Sequence, residues 1–117
     1  MMFAESIRQF EKQQDRQESA HPLQIDYDNV KKASLILRSL NHKLRQQIIK
    51  IISDDEKLTV TEIYVKLRLE QSVASQHLAI LRKAGVVNTQ REGKFIFYTI
   101  NVERIKVIDK FVTDLIG

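Results

Sequence analysis

Within Gln71-Ser72-Val73-Ala74-Ser75-Gln76-His77-Leu78 the side chains able to do chemistry are hydroxyls, amides and one imidazole. None has an acid or base at a spacing that would activate it for catalysis, so their chemistry is hydrogen-bond readout. A glutamine can address adenine with two bonds, and a serine can address either a base or a phosphate. At about 100° per residue, Ala74, Leu78 and Leu81 fall on one side of a helix, and Ser72, Ser75, Gln76, Ala79 and Lys83 on the other. A solvated helix face ordinarily carries long Lys and Glu side chains, whereas Ser, Gln and Ala let a helix lie deep in a groove. His77 falls at the edge of the apolar side, where a half-buried structural imidazole and a base or phosphate contact both remain open.

A second group of chemically able residues follows. Gly85 suits the left-handed position that ends a helix. Val86 to Gln90 and Phe95 to Ile100 then read as strands, with Phe95 and Phe97 on one side and Ile96, Tyr98 and Ile100 on the other. Arg91-Glu92-Gly93-Lys94 is the expected turn, in which Gly93 permits positive φ and Arg91 and Lys94 are placed for phosphate. From Lys66 to Lys94 six basic residues stand against two acidic ones, inside a chain of net charge +4 whose first 26 residues hold three basic against five acidic. A basic patch concentrates a polyanion, although charge alone does not separate it from an ordinary solvated surface.

The same inventory excludes other classes. There is no cysteine, hence no disulfide, thiolate metal site or thiol switch, as suits a reducing compartment. His21, His42 and His77 lie on different elements and form no ligand set. With three glycines, two of them Gly85 and Gly117, no phosphate-cradling loop can be built, and no nucleophile motif is present. The expectation is therefore no enzyme, no cofactor and no metal. No apolar run reaches membrane-spanning length and the N-terminus lacks a signal-peptide layout, so a cytoplasmic protein without membrane contact is expected.

The elements that must position these residues come next. At 117 residues and 43% hydrophobic content the chain suits one compact domain. Residues 1–26 read as an extension: Phe3, Ile7 and Phe10 allow a short amphipathic helix over Met1 to Gln17, and a loosely held tail is equally compatible. From a cap at Asp26 or Asp28, Val30, Ala33, Ile36 or Leu37, and Leu40 form an apolar stripe. Asn41 offers a cap to a core helix through Leu44, Ile48, Ile49, Ile51 and Ile52, closed by a solvated Ser53-Asp54-Asp55-Glu56 loop. Leu58-Thr59-Val60 is extended and leads into a helix whose Thr59 and Glu62 have capping-box spacing. A tight connection to a helix opening near Glu70 or Gln71 completes a helix-turn-helix pattern. After the hairpin, Asn101 or Thr99 caps a last helix with Val102, Ile105, Ile108, Phe111 or Val112, and Leu115 on one face. That face and the Val30 to Leu40 face are the expected dimer surface, through Val30, Ala33, Leu37, Ile105, Ile108, Val112 and Leu115.

From about Val30 to Leu115 the chain resembles the ArsR/SmtB family of bacterial winged-helix repressors. The resemblance is carried by Leu40-Asn41-His42 with Leu44-Arg45 and Ile48-Ile49, by Glu62-Ile63 with Leu67, and by Gln71 to Leu78. It continues through Leu81-Arg82-Lys83-Ala84-Gly85-Val86-Val87, Arg91 to Lys94 and Tyr98. It implies a homodimer on double-stranded DNA, with recognition helices in successive major grooves of an imperfect palindrome, roughly 34 to 36 Å apart, and wings on the flanking backbone. Recognition positions map to Ser72, Ser75, Gln76 and His77, and the expected contact set is Gln71, Ser72, Ser75, Gln76, His77, Lys83, Arg91 and Lys94. The chain departs from the family's metal sensors. Val60, Glu62, Ile63 and Tyr64 occupy the thiolate region, and Asn101, Glu103, Asp114 and Gly117 the C-terminal site. Two oxygen donors without imidazole or thiolate do not suit zinc or nickel.

The expected fold is thus mainly α (α+β): a winged helix-turn-helix over residues 27–117 with a short β-hairpin wing and flanking dimerisation helices. The expected function is sequence-specific regulation of transcription, as a repressor controlled by an unidentified small-molecule or protein effector, if any. The rival is a winged helix used for protein contact, since the fold does not fix the function. An apolar patch over Ser72 to Lys83 would mark it, and none is written there.

Overall fold

The computed structural model describes residues 23–117, so the stretch from Met1 to Gln17, expected as a short helix or a loosely held tail, lies outside the described residues. The element order is α1 (Tyr27–Leu40), α2 (Lys43–Asp55), β1 (Lys57–Thr59), α3 (Val60–Leu67), α4 (Gln71–Lys83), β2 (Val87–Glu92), β3 (Phe95–Ile100) and α5 (Val102–Ile116). This is the α+β winged helix-turn-helix expected, with one addition. The hairpin is joined by β1 into a three-stranded antiparallel sheet of order β1-β3-β2, in which Leu58 pairs with Tyr98 and Val87 with Ile100.

Local chemistry accounts for most boundaries. Asp26 caps α1 by accepting from the Asn29 N–H at 3.2 Å. Thr59 and Glu62 form the reciprocal capping box of α3, each side chain accepting from the other's backbone N–H. Asn101 accepts from the Arg104 N–H at 3.2 Å and opens α5. Arg68, in the left-handed region at φ 55°, closes α3 and turns the chain toward α4.

Three expectations are corrected. The cap of α2 is His42 rather than Asn41, its Nδ1 accepting from the Leu44 N–H at 3.2 Å. Asn41 instead closes α1, its N–H donating to Leu37 and Arg38 carbonyls. Second, Ser53-Asp54-Asp55 is the last turn of α2 and not a loop, the turn falling at Glu56 with φ 70°. Acidic residues at a helix C-terminus oppose its dipole, and ion pairs from Lys50 to Asp54 and Lys66 to Asp55, both 3.3 Å, offset that. Third, Arg91 and Glu92 belong to β2, and the turn is only Gly93-Lys94. Glycine first with positive φ is the two-residue turn whose twist suits a hairpin, so pairing runs out to Glu92 opposite Phe95.

The core gathers Ile48 and Ile52 of α2, Leu58, Ile63, Leu78 and Leu81 of α4, Ala84, Val86 and Val87. The expected central role of α2 holds. Arg45 is also buried, and its charge is met. Nε donates to the Ser39 carbonyl at 2.6 Å and Nη2 to that of Arg38 at 3.1 Å, so the guanidinium closes the C-terminal end of α1.

Candidate nucleic-acid interface

Helix α4 is held from beneath by Ala74, Leu78 and Leu81, each 0% exposed. Burying two leucines contributes on the order of 3 to 6 kcal/mol, which fixes the helix's rotation about its axis. That rotation turns Gln71, Ser72, Ser75, Gln76, Ala79 and Lys83 outward, and all six are exposed. At the far end the Gly85 N–H donates to the Arg82 carbonyl and the Val86 N–H to that of Leu81, with Gly85 at φ 77°. This double closure delivers the chain straight into β2. A Cβ at Gly85 would lie 3.2 Å from Arg104 Nε in addition to straining the backbone.

His77 takes the inner of the two places left open for it. It is half-buried, its ring 4.8 Å from that of His42, and Nδ1 lies 3.3 Å from Arg45 Nη1. A guanidinium only donates, so Nδ1 accepts and the imidazole there is neutral. Burial, then the His42 and Arg45 charges, push its pKa below the ordinary value. His77 thus ties α4 to α2 and, through Arg45, to the end of α1.

The wing carries Arg91 on β2 and Lys94 at the turn, both exposed, with Arg91 Nε donating to the Gly93 carbonyl at 3.3 Å. Lys94 Nζ lies over the Phe95 ring. Glu92 is taken up by Lys57 of β1 at 2.5 Å, so the one acidic residue at the tip is turned toward the sheet's other edge. Phe95 and Ile96 are also exposed on the wing.

Two residues not assigned a role from sequence enter here. Between α4 and β3 runs a groove of about 460 Å³ lined by Ser75, Ala79, Arg82, Lys83 and Tyr98. Arg82 and Tyr98 therefore stand beside the outward face of α4. The signal for Arg82 was its place beside Lys83; for Tyr98, pairing with Leu58 across the sheet is a long-range fact that strand alternation does not contain.

The residues at the family's two metal positions do not suit a transition metal. The Glu62 carboxylate closes the cap of α3 and the Asn101 side chain that of α5, while Asp114 pairs with Lys110 at 2.9 Å. Among the described residues no three His, Cys, Asp or Glu side chains come together. No helix among them is long and apolar enough to cross a membrane.

Comparison with known proteins agrees with this architecture. Residues 42–89, from the cap of α2 into β2, match the family described as "Bacterial regulatory protein, arsR family". The chain is 40% identical over 80 residues to the transcriptional activator HlyU of Vibrio cholerae, covering 68% of this chain and 73% of that protein. It is 31% identical over 91 residues to the transcriptional repressor PagR of Bacillus anthracis, covering 78% and 91% respectively. The crystal structure of PagR superposes with a TM-score of 0.60 at 31% identity, over 74% of this chain and 99% of that one. The family match spans the whole of α4 and ends in β2, before the wing turn at Gly93-Lys94. The chain belongs to the ArsR family of winged helix-turn-helix transcriptional regulators.

Proposed function

We propose that the protein is a homodimeric, sequence-specific repressor that occupies a palindromic operator and blocks polymerase there. The observation that carries the reading is the pairing of one polar, small-residue helix face, fixed by a fully buried opposite face, with cations on the adjoining wing. Gln71, Ser72, Ser75 and Gln76 enter the major groove and read base edges. Lys83, Arg91 and Lys94, with Arg82 and Tyr98, hold phosphates on either side. His77 is a positioning residue for α4. The site residues, dimer and operator symmetry are parts of this proposal, as is a cytoplasmic location.

Dimerisation is supported by the surface left over. Helix α5 has no buried residue, and Val30, Val112 and Leu115 are exposed while Ala33, Leu37, Ile105 and Ile108 are half-covered. In this reading a second copy covers both stripes, and the pair presents its two α4 helices to successive half-sites. Among relatives, HlyU is named an activator and PagR a repressor, so the sign of regulation rests on operator position. The test is fluorescence anisotropy on a fragment of the protein's own promoter and on a scrambled fragment, over a salt series. Tighter binding to the promoter at every salt concentration is expected, and equal affinity for both fragments would reject sequence-specific reading.

A further inference from the structure

Between α1, the end of α4 and the first turn of α5 lies a cleft of about 360 Å³. Its walls are apolar: Leu35 and Ile36 from α1 and Ile80 from α4, with Leu35 50% and Ile80 43% exposed. Its rim carries Lys32, Lys83 and Arg104, and no acidic side chain lines it. None of the three cations makes a salt bridge among the described residues. Arg104 spends only Nε internally, donating to the Ala84 carbonyl at 3.2 Å. An apolar floor beneath three uncompensated cations is complementary to one kind of molecule, an apolar body ending in an anion.

We propose that this cleft binds a small amphipathic carboxylate, its tail against Leu35, Ile36 and Ile80 and its carboxylate on Arg104 with Lys32 and Lys83. The cleft borders the expected dimer stripe, sharing Ile36 and Arg104 with a smaller pocket that Ala33, Leu37 and Ile108 also line, but its Lys32, Leu35, Ile80 and Lys83 lie outside that stripe. At about 100° per residue Lys32, Leu35 and Ile36 centre on the side of α1 away from Val30 and Leu37. Binding has a consequence that rests on the DNA-binding reading. Lys83 lines both this cleft and the groove beside the outward face of α4, and Arg104 holds the carbonyl at that helix's end. A carboxylate seated there competes with phosphate for Lys83 and draws Arg104 off Ala84, so DNA affinity falls.

The test begins without DNA, by calorimetry on the full chain with decanoate below its micelle concentration, 1-decanol and inorganic phosphate. Decanoate is expected to bind saturably, one per chain, with decanol and phosphate at least about tenfold weaker. Arg104→Gln and Leu35→Glu should each weaken decanoate by about tenfold or more. Leu35 is half exposed, so its replacement leaves the fold intact even if the Arg104 variant is less stable. No saturable binding, equal binding of decanol, or binding indifferent to both substitutions overturns the proposal. So does a change in sedimentation of Leu35→Glu without decanoate binding, which assigns the cleft to a second copy. In a separate arm, decanoate should lower wild-type affinity for the promoter fragment and leave that of Leu35→Glu unchanged. Decanoate binding by a protein that ignores its promoter defeats the repressor reading and leaves the cleft assignment standing. Promoter binding without decanoate binding does the reverse.

Discussion

Helices α4 and α5 are close in length, 13 and 15 residues, and both are amphipathic, yet they meet the rest of the molecule in opposite ways. Helix α4 buries Ala74, Leu78 and Leu81 completely and, Ile80 apart, shows polar or small side chains. Helix α5 buries no residue completely and shows Phe111, Val112 and Leu115 to solvent. The lesson is that what a helix leaves uncovered states the chemistry of its partner. A face of Ser and Gln beside cations suits nucleic acid, and a face of Val, Leu and Phe suits an apolar partner, here the proposed second copy.

The largest effect expected from breaking this contrast is on the proposed dimer. Leu115→Asp should give monomers in sedimentation velocity while leaving thermal unfolding of the described fold nearly unchanged. It should also weaken promoter binding by roughly 10²- to 10⁴-fold, because two half-sites no longer bind as one unit. Leu78→Ala attacks the other helix from beneath. It should cost about 3 kcal/mol in denaturant unfolding, since it opens a cavity under the recognition face, and DNA binding should fall with stability. A dimer surviving Leu115→Asp, or an unaffected stability in Leu78→Ala, would undo the assignment of the two helices.

Much of this contrast was readable from the chain because it is local. The period of Ala74, Leu78 and Leu81, the glycine after Ala84 and the Thr59 to Glu62 spacing are encoded within a few residues of where they act. What escaped was set by residues distant in sequence. The reach of β2 depends on pairing with β3 and on Lys57, 35 positions from Glu92, and the edge position of His77 resolves only when Arg45 and His42 arrive beside it. The helical end of α2 was missed because an acidic run reads as solvent-facing loop, whereas Lys50, one turn earlier in the same helix, and Lys66 of α3 neutralise it. The Arg104 contact with Ala84, across 20 positions, has no sequence signature at all.

Smaller effects sharpen the comparison inside the DNA face itself. Lys94→Ala should weaken binding to promoter and scrambled fragments alike, and reduce the slope of log affinity against log salt by about one unit per replaced contact. His77→Gln should change pH dependence more than binding. The folded pKa of His77 lies below its ordinary value of 6.5, so the unfolded chain takes up the proton first. Its contribution is therefore intact above that value and is lost as pH falls from there through the folded pKa. Unfolding curves across pH should show the wild type losing more stability on acidification than His77→Gln, and identical profiles would remove His77 from its seat between α2 and α4.

The central claim is that the outward face of α4 reads sequence while the wing only holds backbone. It is tested most directly by the ratio of promoter to scrambled-fragment affinity for the wild type and Gln76→Ala, measured by anisotropy at one salt concentration. Gln76→Ala is predicted to lower that ratio by about tenfold or more, equivalent to roughly 1 to 3 kcal/mol of lost discrimination, with little change on scrambled DNA. An unchanged ratio in Gln76→Ala, or an equal loss on both fragments, would contradict the account.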